Sequence, residues 1–115
     1  MILLMLAVLA AKEPPAREPP LKPVVVSPLT TQQLIRECEG KDADPTPSFC
    51  TGYILAAFDN LSLSRQICPS PVLSTATGAV STTRKYLRTR AKKSTAAPAF
   101  VVRDALRRTY PCGRR

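Results

Sequence analysis

The 115-residue chain contains no histidine, and this absence removes much of the usual chemistry. Histidine is the commonest general base near neutral pH and the commonest metal ligand, so Ser-His and Cys-His dyads are excluded. Acids are scarce, eight against seventeen Lys and Arg. Asp59 stands beside Asn60 and Asp104 among arginines, so no carboxylate pair suggests acid–base work. The expected partner of Asp104 is Arg107 or Arg108, one helical turn further on. Four scattered glycines supply no phosphate-cradling loop. Nothing reads as a strand, because the one β-branched run, Val24-Val25-Val26, lies between prolines. No internal repeat is visible. The N-terminal apolar run falls short of the roughly 20 residues a membrane-spanning helix needs. These absences argue against an enzyme, against a metal or other cofactor, and against stable membrane insertion.

Two kinds of segment are present instead. Met1 to Ala11 is apolar and fits a signal-peptide core, with Val8-Leu9-Ala10 as a cleavage site. No cysteine follows closely enough to accept a lipid. Residues 12–28 hold Pro14, Pro15, Pro19, Pro20, Pro23 and Pro28, which remove amide donors and fix φ, so an extended spacer is expected. The folded domain is then 29–112, followed by a basic tail at 113–115. A domain this small buries a modest core, for which covalent cross-links are a useful supplement.

Within the domain four helical segments are expected. The first, from Leu29 to Cys38, opens with Ser27-Pro28 and Thr30-Thr31 as capping candidates and has Leu34, Ile35 and Cys38 at helical spacing. A turn over 39–47 holds Gly40, Asp42, Asp44, Pro45 and Pro47. Ser48 then caps a helix with Cys50, Tyr53, Ile54, Ala57, Phe58 and Leu61 on one stripe. Cys68-Pro69-Ser70-Pro71 stops it. The third segment runs from Val72 to Lys92, with Leu73, Ala76, Val80, Thr83, Leu87 and Ala91 inward and Arg84, Lys85, Arg88 and Lys92 on the other faces. The fourth runs from Ala97 to Tyr110, burying Val101, Val102, Ala105, Leu106 and Tyr110, and Pro111 ends it.

Each of the four cysteines falls near a helix end. Zinc is disfavoured, because structural sites usually use close Cys pairs and no two cysteines here are nearer than Cys38 and Cys50. An even cysteine count behind an export-like segment points to disulfides in an oxidising compartment. Short connections favour antiparallel neighbours. An all-α, up-down bundle then places Cys38 beside Cys50 at one end and Cys68 beside Cys112 at the other, the favoured one of three possible pairings.

Charge is distributed unevenly. Residues 84–115 carry +10 and the remainder −1. The run Arg84 to Lys93 resembles a nucleic-acid patch, but Tyr86 is its one aromatic, so base stacking is poorly supplied and nucleic acid is not expected. Leu87 and Ala91 mark a core face, leaving the cations on a solvated face or against an acidic partner.

One combination of residues is specific. Leu34 and Cys38 are followed by Phe49-Cys50-Thr51-Gly52-Tyr53-Ile54 with Asp59 downstream, then by Ile67-Cys68 with Ser70-Pro71. Tyr86-Leu87 comes next, and Ala105-Leu106 with Tyr110-Pro111-Cys112 closes the domain. This order resembles the Rap/Tai family of immunity proteins of type VI secretion systems. The resemblance implies a small helical, disulfide-bonded periplasmic protein that binds a peptidoglycan amidase effector and occludes its cleft, often as a homodimer. It gives the shared residues structural roles. Gly52 would permit close helix approach, Tyr53 would pack in the core, and Asp59 would orient an amide or an arginine. Where the family tends to have His-Pro after the Tyr-Leu helix, this chain has Arg90-Ala91. Candidate effector contacts are the basic segment with Arg88, Arg90, Lys92, Lys93 and Ser94, and the acidic turn with Asp42 and Asp44. The alternatives are a small periplasmic chaperone of the acid-stress type and a cationic nucleic-acid or envelope-binding protein.

Overall fold

The computed structural model describes residues 23–44 and 46–113. The signal-peptide-like run 1–11, most of the Pro-rich spacer and the arginines of the tail lie outside the described residues. Four helices follow in order: α1 (Thr31–Glu37), α2 (Phe49–Leu63), α3 (Ala76–Arg90) and α4 (Pro98–Thr109). Among the described residues there is no strand, and no helix is long and apolar enough to cross a membrane.

Each start has a local cause. The Thr30 hydroxyl accepts the Gln33 amide while the Gln33 side chain accepts the Thr30 amide, a reciprocal capping box. Ser48 caps α2 through the Thr51 amide and Thr75 caps α3 through the Gly78 amide. A Cβ on Gly78 would sit 3.0 Å from that capping hydroxyl, so glycine leaves room for the cap. α4 has no side-chain cap and begins with Pro98, whose fixed φ suits a first helical position.

Three boundaries differ from the sequence expectation. α2 ends at Leu63 because Arg65 adopts φ 57°, letting its amide reach Ser62 O and the Gln66 amide reach Leu61 O. This paired closure satisfies the last carbonyls and turns the chain. α3 begins at Ala76, not Val72, because Ser70 Oγ accepts the amides of Val72 and Leu73 and holds them in a turn. Leu73, assigned to the buried stripe by spacing, is therefore 82% exposed, and Ala76 is exposed as well. The helix also stops at Arg90, with Ala91 as its C-cap.

Helix directions follow from side-chain contacts. Arg84, in the second half of α3, touches Cys50 at the start of α2. Phe58, late in α2, meets Tyr110 after α4 edge-on at 5.5 Å, and the Tyr110 hydroxyl lies beside Gly78 at the start of α3. α2 and α4 thus run the same way and α3 runs against both. Helix α1, only seven residues long, sits at one end of this trio. Thr31 donates to Ala96 O at its start, and Cys38 is bonded to Cys50 at its finish. Leu34, Ile54, Ile67, Leu87, Val102 and Leu106 are each under 2% exposed and form the core. Each such side chain contributes about 1.5–3 kcal/mol relative to exposure.

The disulfides are Cys38–Cys50 and Cys68–Cys112, the pairing that the helix directions require. The first is buried beneath α3, whereas the second lies at the surface of the opposite end. Both being closed, no thiolate remains for a metal.

Candidate functional site

The acidic turn and the basic segment, far apart in sequence, meet at the end of the bundle that carries Cys38–Cys50. Arg84 joins them from inside. It is 4% exposed, its Nε–H donates to Cys50 Sγ at 3.4 Å, and its Nη1 donates to Lys41 O at 2.6 Å. This corrects its assignment to the solvated face. No carboxylate among the described residues lies within 4 Å of it. Its partners are a backbone carbonyl and a sulfur, so it ties the 39–44 turn to α3 and covers the buried disulfide. A signal for this was present: Val80, Arg84, Leu87 and Ala91 recur at steps of four, three and four, the spacing of a buried stripe.

One turn further along α3, Arg88 forms a two-pronged ion pair with Asp42, its Nη2 reaching Oδ2 at 2.9 Å. Thr46 bonds the Asp44 carboxylate through its amide. The Arg88 guanidinium holds the Asp42 carboxyl below its ordinary range, and hydrogen bonding by Thr46 does the same for Asp44. A depressed folded pKa contributes stability above the unfolded value, about 3.9, which is lost as pH falls through the folded one. The effect is small because solvent reaches both carboxylates. With no histidine and no free thiol, the melting temperature is expected to be flat from about pH 5 to 8 and to fall only below about pH 4. Circular dichroism across that range checks this; an unfolding step centred near pH 6 would contradict it.

The rest of this end is held from beneath. Ser94 O accepts from the Gln32 side chain and Ser94 Oγ from the Ala96 amide. Arg90, Lys92 and Lys93 are exposed. The structure brings Arg88 and Asp42 together, whereas Ser94 is held against α1 and Asp44 lies beside Thr51, Ala76 and Val80. A cavity of about 140 Å³ is lined by Ile35, Cys38, Arg84, Leu87 and Arg88. That volume is well below the about 300 Å³ at which small-molecule pockets begin.

The motif residues divide. Leu87 is buried, Tyr86 and Tyr110 are half-buried, and Pro111 is exposed. Tyr53 is half-buried, and burial pushes its phenol up. Asp59 is exposed and its carboxylate makes no hydrogen bond or ion pair among the described residues. Asp104 pairs with its neighbour Arg103, not with Arg107 or Arg108. Arg107 instead donates to the Gln66 side chain. Gly52 does not serve close helix approach: it is exposed, and a Cβ there would meet nothing within 4 Å. Gly52→Ala is expected to raise stability by about 1 kcal/mol, the helix-interior difference between the two residues. Urea unfolding measures it, and a lower midpoint would mean that the bare backbone serves the fold.

The family described as Rap1a immunity proteins matches residues 30–112, the span from the α1 cap to the last cysteine. The chain belongs to that family. An immunity protein works by binding a cognate effector, so this fold is read as a binding body. No curated protein and no solved structure gives a significant match. The two disulfides and the family together indicate a protein that works outside the cytosol.

Proposed function

We propose that the chain is a periplasmic immunity protein of type VI secretion that binds a peptidoglycan amidase effector and blocks substrate entry. The family match over the whole folded span carries this reading. The stapled core supports it, since a body already rigid before binding loses little conformational freedom in the complex. The domain acts by steric exclusion and supplies no catalytic group of its own. The basic segment with Arg88, Arg90, Lys92, Lys93 and Ser94 and the acidic turn with Asp42 and Asp44 offer the effector charged contacts. A homodimer, implied by the family resemblance, belongs to the same proposal and is checked by sedimentation velocity.

Periplasmic co-expression with an amidase-type effector, sought first among the products of neighbouring genes, tests the reading. Rescue from lysis and a co-eluting complex on size exclusion are expected. Lysis with no complex would refute the proposal for that amidase.

A further inference from the structure

The end of the bundle that carries Cys68–Cys112 is built differently from the charged end. Val72 is 88% exposed, Leu73 82% and Leu63 at the end of α2 84%. Apolar side chains this exposed gain nothing for the fold, and a group of them at one end marks a contact surface. Their backbone, by contrast, is firmly held. Ser70 Oγ accepts two amides of the loop and Ser70 O accepts the Ser74 amide at 3.0 Å. Pro69 and Pro71 restrict φ, the Cys68 amide donates to Tyr110 O, and Cys68 is bonded to Cys112. The loop is thus pre-organised, its backbone tied down and two aliphatic side chains left in solvent.

Its surroundings are cationic. Arg65 and Arg107 are exposed at this end, and the last turns of α2 and α4 contain no acid. A second copy of the same loop would meet this charge with its own, so self-pairing here is disfavoured. Apolar contact with an acidic rim is what the loop fits.

We infer that loop 69–74, through Val72 and Leu73, is the occluding element, entering an apolar, acid-rimmed cleft of the effector. This rests on the immunity reading and names its surface. The exposed charges at the other end of α3, about 22 Å away for 15 residues, contribute to encounter rate more than to affinity. Buried aliphatic anchors contribute to affinity.

The test uses the full chain and the amidase that passes the rescue assay. The double variant Val72→Ser/Leu73→Ser is compared with Lys92→Glu/Lys93→Glu by calorimetry. Because both loop side chains are exposed, the first variant should keep the wild-type melting temperature while losing about 100-fold or more in affinity. It should also lose rescue, and amides of 69–74 should gain exchange protection in the wild-type complex. Wild-type affinity in the Val72/Leu73 variant would overturn this inference and leave the immunity reading standing. So would concentration-dependent self-association that this variant abolishes without affecting the amidase. A wild-type chain that binds no amidase would overturn both.

Discussion

Alanine at both Cys68 and Cys112 is expected to lower the unfolding free energy by about 4 kcal/mol, and at both Cys38 and Cys50 by about 3. The difference comes from the lengths closed, sequence separations of 44 and 12. A longer loop removes more conformational freedom from the unfolded chain, growing with the logarithm of its length. Small domains have about 5–15 kcal/mol in total, so either loss is a large fraction and the two together approach the whole. Cys68–Cys112 also joins the α2–α3 connection to the end of α4, alongside the Cys68 amide bond to Tyr110 O. Its loss therefore also frees the loop carrying Val72 and Leu73. Urea unfolding of each variant under oxidising conditions measures the effect. An unchanged midpoint for the Cys68/Cys112 variant would show that helix packing alone holds that end.

Arg84→Ala is expected to cost about 2–4 kcal/mol, an effect outside the range of surface substitutions. Two mechanisms add. The Lys41 carbonyl loses the donor that holds the 39–44 turn, and a side chain 4% exposed leaves a void over the Cys38–Cys50 bridge. Arg84→Lys should recover only part of the loss, because an ammonium on a single stem does not reach sulfur and carbonyl with the forked geometry of a guanidinium. Arg88→Ala, one turn away, breaks an exposed ion pair with Asp42 and should cost under about 1 kcal/mol. Thermal melts of the three variants make the comparison. Equal, small effects at positions 84 and 88 would return Arg84 to the solvated face.

Much of this architecture is legible in the sequence because its signals are local. Ser48 and Thr30 cap where hydroxyl residues precede apolar periodicity, and the stripe Cys50, Ile54 and Leu61 is buried as spacing requires. The cysteine pairing follows from helix order: a short turn keeps the end of α1 near the start of α2, and alternating directions bring the ends of α2 and α4 to one end of the bundle. The misreadings occurred where two local signals competed. Val72 and Leu73 continue an apolar pattern into α3, yet the Ser70 hydroxyl claims their amides first and Thr75 is the residue that caps the helix. Arg84 carries a charge that argues for solvent, on a stripe position that argues for the core. Three methylenes and a broad, weakly hydrated head let an arginine satisfy both.

By itself, then, the sequence determined an all-α fold, two disulfides and their partners, and through its motif order a family of immunity proteins. These rest on period, capping and chain order, which act over a few residues. Only the tertiary structure decided that Arg84 lies inside, that Asp42 and Arg88 meet, that Gly52 faces open space, and that one end exposes Val72 and Leu73. Such facts depend on which groups from distant segments arrive at one place, and on whether a nearby carbonyl, sulfur or hydroxyl satisfies them there.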